Sequence, residues 1–208
     1  MRALTVIAFA LGAVVAFATP LSARAAKAPE AAAGQRYVDF VRAAAAPGDV
    51  IFIRGRGIWG AMAARFSNRD RTFGHVGLIA VDDLGRLTVV HAGGDPASPE
   101  GRVRQDLVSD FLDSVKVVAI YTPRAGDLAA ARAIAFAKEA VRTKAPFDRQ
   151  FSLDTRDALY CTELIWRAYS HALGEDVVPR KSMRENTEYI ALDDLHDAPF
   201  LKEKGRTF

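Results

Sequence analysis

One cysteine and four histidines are the side chains of this 208-residue protein best suited to covalent and proton-transfer chemistry. Cys161 stands in Tyr160-Cys161-Thr162-Glu163-Leu164-Ile165-Trp166. The apolar positions Leu164, Ile165, Ala168 and Ala172 recur at three- and four-residue intervals, the mark of an amphipathic helix whose stripe carries Cys161 toward the protein body. At a helix start, unpaired amides and the positive dipole end favour a thiolate and draw the thiol down from its free pKa of about 8.5. The boundary decides this: a helix capped by Asp157 would place Cys161 a full turn inside. Read alone, Cys161 is as good a small buried hydrophobe as a nucleophile.

A thiolate nucleophile needs an imidazole to take and return its proton. His75 opens the run HVGLIAV and His91 closes RLTVVH, two strand-like segments flanking the turn-rich Asp82-Asp83-Leu84-Gly85. An odd-length connection sets residue 75 across from 91, with Cβ atoms about 5 Å apart. A slip of one residue sends the two to opposite faces. In this arrangement His75 partners Cys161 as an imidazolium, and His91 hydrogen-bonds the far nitrogen of His75 to fix its tautomer. Asp95 and Asp82 are substitutes for the orienting role and Asn186 a weaker one. His171 and His196 read as exposed structural residues. Two His and one Cys could in principle hold a divalent ion, but no close ligand pair such as Cys-x2-Cys occurs, so neither a metal nor a cofactor is expected.

These residues sit in an ordinary globular composition: 50% apolar, 25% charged, 9% aromatic. Residues 1–25 have the form of a cleaved secretory signal, with Arg2, an apolar stretch from Ala3 to Thr19, Pro20, and Ala23-Arg24-Ala25 at the cleavage spacing. The apolar stretch is too short for a stable membrane span, which needs about 20 residues. A periplasmic or secreted location follows. Removing the signal takes two of the 28 Lys+Arg and none of the 25 Asp+Glu, which leaves a net charge of +1. That near-neutral, dispersed charge lacks the cationic face a nucleic-acid partner requires.

Residues 26–46 read as a loose leader and a short helix around Tyr37, Phe40 and Val41, and 47–208 as one α+β domain with a mostly antiparallel sheet. The strands are Val50–Ile53, His75–Val81, Arg86–His91 and Val115–Tyr121. Helices are expected over Ile58–Phe66, Gln105–Leu112, Gly126–Arg142 and Tyr160–Leu173, and the last thirty-odd residues read as polar and irregular. Trp59 and Arg54, with Phe66 and Arg56, could shape an apolar, anion-tolerant entrance, and Tyr160 adjoins the nucleophile. Trp59, Arg54 and Tyr160 are the substrate-binding candidates.

Taken in order, Gly48-Asp49-Val50-Ile51-Phe52, Gly74-His75-Val76-Gly77-Leu78-Ile79, Phe147-Asp148 and Tyr160-Cys161-Thr162-Glu163-Leu164 resemble the circularly permuted NlpC-type papain-like cysteine hydrolases, in particular their YiiX-like branch. His before Cys is the permuted order, and the likeness spans roughly residues 47 to 170. It implies a permuted papain-like fold with the nucleophile helix against the sheet, Cys161 as nucleophile, His75 as base, and His91 at a third position that varies among relatives. It also implies acyl hydrolysis or transfer through a thioester, with the Cys161 amide as one oxyanion donor. Substrates across such folds include wall peptides, other amides and lipid esters, so the partner is a small-molecule, peptide or lipid acyl compound. A catalytically silent binding module of the same fold is the alternative; oligomeric state is left open.

Overall fold

The computed structural model describes residues 34–55, 67–93 and 101–208. Helix α1 (34–44) is followed by strands β1 (Val50–Gly55), β2 (His75–Val81), β3 (Leu87–Gly93) and β4 (Arg102–Leu107), and by a single turn α2 (Val108–Phe111). Then come β5 (Val115–Pro123), α3 (Asp127–Arg142) and α4 (Cys161–Leu173). The chain finishes with the hairpin β6 (Ser182–Arg184) and β7 (Thr187–Tyr189), α5 (Leu192–His196) and β8 (Leu201–Thr207). Six strands form one sheet in the order β4-β3-β2-β1-β5-β8, and every pairing is antiparallel.

Alternation along the strands divides the core into two layers. Phe52, Val76, Leu78, Val90 and Ala92 face α3 and α4, whereas Ile51, Ile53, Ile79, Val89, Val118 and Ile120 pack with Tyr37, Val38 and Val41 of α1 and with Val108 and Phe111 of α2. The fully buried positions of helix α3 are all alanine, Ala129, Ala133, Ala137 and Ala140, so its axis can approach the sheet and α4 closely. Gly48 holds φ +94° and has Ala130 Cβ only 2.6 Å from where its own Cβ would lie, a position that requires glycine on both counts. Its neighbour Asp49 is 3% exposed and accepts from Ala46 N, Thr122 Oγ1 and Lys204 Nζ. The Gly48-Asp49 pair thus ties the end of α1 to β5 and β8.

The structure differs from the sequence expectation in three places. Gln105–Leu107 belongs to β4 and only Val108–Phe111 is helical, because pairing with Thr88–Gly93 satisfies the backbone that a helix would otherwise have to satisfy internally. The polar C-terminal segment is ordered, with β6, β7, α5 and β8. Strand β8, LKEKGRT, has poor intrinsic strand preference, but charged residues suit a sheet edge and pairing with β5 overrides propensity. His196 is not exposed: its side chain is 7% accessible and lies among the rings of Phe52, Phe73 and Tyr121. The expected signal over 1–25, the leader over 26–33 and the helix over Ile58–Phe66 lie outside the described residues.

Candidate active site

Helix α4 begins at Cys161, with Tyr160 as its N-cap, so Asp157 is not the cap and the thiol stands at the first helical position. Glu163 reaches back to accept the Tyr160 N–H at 3.3 Å, half of a capping box, and Thr162 Oγ1 donates to Ile190 O at 2.6 Å. The approach to this turn is also fixed. Asp148 accepts from Gln150 N and Ser152 N, and Phe147 bridges to Leu159. The Phe147-Asp148 motif therefore shapes the loop that delivers Cys161.

Cys161 is partly exposed. Burial pushes its thiol up to about 11, against the backbone N–H groups of Thr162, Val76 and Cys161 itself, which favour the thiolate. Cys161 packs against the core cluster that contains Val76, the residue after His75. His75 is also partly exposed and is held well below the usual imidazole range, first by burial and then by the charges of His91 and Arg104, with Asp106 opposing. Both shifts disfavour charge separation, so the resting groups are a thiol and a neutral imidazole, in contrast to the preformed ion pair that a helix terminus alone would predict. Desolvation outweighs the dipole here.

His75 Nε2 lies 2.9 Å from His91 Nδ1. The route differs from direct cross-strand pairing. The register runs Val81↔Leu87 to Leu78↔Val90, and continued by one residue it sets His91 beside Gly77, two residues beyond His75. The hairpin loop explains the offset: Asp82 Oδ1 accepts from Leu84 N and Arg86 N and Gly85 takes φ +73°, which centres the turn on Leu84. An offset of two preserves the face, so the imidazoles meet diagonally. Phe111 packs against both rings, 5.7 Å from His75 and 4.9 Å from His91 between centroids. His91 is 3% exposed, and its pKa is lowered by burial.

The group beyond His91 is one the sequence reading passed over. His91 Nε2 lies 2.9 Å from Asp106 Oδ2, and Arg104 Nε lies 2.8 Å from the same oxygen. Reading 105–112 as a helix hid it; the polar-apolar alternation of Arg102-Val103-Arg104, continued past Gln105 to Asp106, was the available signal. Of the earlier candidates for this role, Asp82 sits in the hairpin loop at the far end of β2, paired with Arg86. Asn186 lies exposed in the β6–β7 turn at φ 66°, and Asp95 is outside the described residues.

Trp59, Arg56 and Phe66 also lie outside the described residues. Arg54, at the end of β1, donates from its guanidinium to the Arg71 carbonyl and so braces the segment that enters β2. Tyr160 is placed as a structural residue rather than a substrate contact: it is 1% exposed, and its hydroxyl accepts the Ile190 N–H at 2.8 Å. Among the described residues no group of three His, Cys, Asp or Glu is arranged to hold a metal ion.

A thiol at the start of a helix packed on an antiparallel sheet, with a hydrogen-bonded histidine pair on adjoining strands earlier in the chain, defines a permuted papain-like cysteine hydrolase. The chain belongs to the family described as permuted papain-like amidase enzyme, YaeF/YiiX, C92 family, which it matches over residues 44–191. It is accordingly a cysteine amidase-type hydrolase by family. Its fold is similar to the crystal structure of YiiX from Escherichia coli O157:H7, described as a metalloprotein, with a TM-score of 0.63 and 18% identity over 78% of this chain and 97% of that one. No curated protein matches the chain. The residues described here offer no fit for a metal, so no step is derived through one.

Proposed function

We propose that the protein is an exported cysteine hydrolase that cleaves an amide bond, peptide or N-acyl, through a thioester. Cys161 is the nucleophile, His75 the base and His91 the group that orients it. The observation that carries this reading is the 2.9 Å bond between His75 and His91, with Cys161 at the first position of α4 and packed against the core cluster that contains Val76, the residue after His75. Because burial keeps both partners neutral at rest, the proton passes from Sγ to His75 as the substrate carbonyl arrives. Sulfur then bonds the acyl carbon, and the carbonyl electrons move onto oxygen. The Cys161 amide, one of the unpaired donors of the first turn, faces that oxyanion. Collapse expels the amine, which takes its proton from His75, and leaves the thioester. Water, deprotonated by His75, releases the acid and restores the thiol.

The export signal over residues 1–25 supports a periplasmic or secreted enzyme; a mature protein whose first residue is still Met1 would refute that part. For the chemistry, the protein is incubated with wall peptides, N-acyl amino acids and phospholipids, and its intact mass is measured. An acyl adduct on the wild type that is absent from Cys161→Ala is expected. Equal turnover by Cys161→Ala overturns the nucleophile assignment, and an adduct formed only from phospholipid replaces the amide by an ester. Absence of any adduct or turnover across all three pools favours a silent binding module.

A further inference from the structure

The hydrogen-bonded chain continues past His91 to a carboxylate, and this fixes where every proton in it resides. Asp106 is held below the usual carboxylate range, first by its bond to His91, so it is ionised and has no proton to give. The contact of 2.9 Å from His91 Nε2 to Asp106 Oδ2 is therefore donated by the imidazole. Arg104 Nε donates toward His91 Nε2 at 3.3 Å and lies 2.8 Å from the Asp106 oxygen as an ion pair. A lone pair on Nε2 would face that carboxylate at 2.9 Å, so the tautomer that donates to Asp106 is favoured over the one that accepts from Arg104. A neutral His91 protonated at Nε2 keeps a lone pair on Nδ1. The 2.9 Å contact there must then be donated by His75 Nε2, which leaves the lone pair of His75 on Nδ1.

We infer that Asp106, clamped by Arg104, is a positioning residue: through His91 it imposes the tautomer that makes Nδ1 the basic nitrogen of His75. The three side chains step obliquely across β2, β3 and β4. His91 is the Cα partner of Arg104, and Asp106 lies two residues further along, opposite Val89. The His91 side chain is 4% exposed and that of Asp106 25%, so water has little access to the ring and the carboxylate is its available acceptor at Nε2. When His75 takes up a proton, the carboxylate stabilises the charge through the intervening ring, which a neutral imidazole alone does poorly. The proton pattern stands independently; its effect on turnover rests on the hydrolase reading above.

The test uses the full chain labelled with 15N-histidine, observed by long-range 1H–15N NMR above the histidine titrations. Both His91 and His75 are expected as the Nε2–H tautomer. Asp106→Leu is expected to redistribute the His91 tautomer and shift the His75 nitrogens, while Asp106→Asn, which keeps an acceptor oxygen, preserves the pattern. In turnover, Asp106→Leu should lower kcat by about 10- to 100-fold, the usual effect of removing an outer orienting group, with little change in KM, and Asp106→Asn should recover part of the loss. Wild-type His91 protonated at Nδ1, or His75 nitrogens unmoved in Asp106→Leu, overturns the inference without any need for activity. A wild type that shows the expected tautomers but forms no acyl adduct counts against the hydrolase reading and leaves this one standing.

Discussion

Gly77 stands against His91: a Cβ added to the glycine would lie 3.3 Å from His91 Cβ and 2.3 Å from Val89 Cγ1. Gly93 approaches from the other side, where a Cβ would come within 3.0 Å of both His91 Cε1 and Nδ1. The two glycines form the space in which the imidazole turns toward His75. Gly77→Ala is expected to destabilise the protein by about 1–3 kcal/mol through overpacking and to abolish most turnover. Gly93→Ala should reduce turnover with a smaller loss of Tm, since its contact is with the ring. Gly205→Ala, whose Cβ would meet only Phe40 at 3.4 Å, is the control and should be near neutral. Thermal melts and rates on the three variants check this; equal effects at all three positions would contradict it.

The neutral resting pair has a kinetic signature. With the thiol pushed up to about 11, alkylation of Cys161 by iodoacetamide should keep rising beyond about pH 10, where a free thiol of pKa about 8.5 has levelled off. A plateau already reached at pH 7 would show a preformed thiolate and contradict the burial argument. His75→Ala should slow alkylation at neutral pH by about tenfold, because the base assigned to the thiol is gone.

Asp193 holds the segment that feeds His75. Its carboxylate is wholly buried and accepts from Asn68 N at 3.1 Å and Arg69 N at 2.7 Å. Asp193→Ala leaves both amides without their partner and should cost about 2–4 kcal/mol. The larger sign is functional: turnover should fall further than the shift in Tm accounts for, since residues 67–74 lead directly into β2. Full activity in a folded Asp193→Ala protein would show that this tether does not position His75.

Glu163 gives a pH dependence of known sign. It is fully buried, and burial raises its carboxyl to about 7, against the attraction of Arg167, which pairs with it at 2.7 Å. The folded-state value exceeds the unfolded value of about 4.3, so the native state binds the extra proton and this group's contribution is lost as pH rises from about 4 to 7. Glu163→Gln does not titrate. Its Tm relative to wild type should therefore improve steadily across that window, and a constant difference from pH 4 to 8 would refute the assignment.

Strands β1, β2, β3 and β5, the α3 and α4 helices and the nucleophile's place at a helix start were legible, because each rests on local pattern: the alternation of Ile51 and Phe52, and the spacing of Leu164, Ile165 and Ala168. The shared face of His75 and His91 was legible too, since face depends on parity alone. Their diagonal offset was not, because it depends on how Asp82 caps its own loop. Asp106 was missed for a related reason. The alternation within Arg102–Leu107 is brief and broken at Gln105, so it declares a strand only weakly; the firm declaration comes from β3 alongside. Strand β8 shows the same limit more strongly, since seven mostly polar residues gain their form only from β5.

A relay assembled from diagonal neighbours on three successive strands makes enzymatic output a gauge of sheet alignment. One residue of sliding between β2 and β3, or between β3 and β4, would turn one imidazole or the carboxylate to the opposite side while leaving helices and most of the interior undisturbed. Variants in the hairpin at Asp82–Arg86 should therefore lose activity well before they lose helical circular dichroism, and a dead but well-folded protein need carry no change at the nucleophile at all.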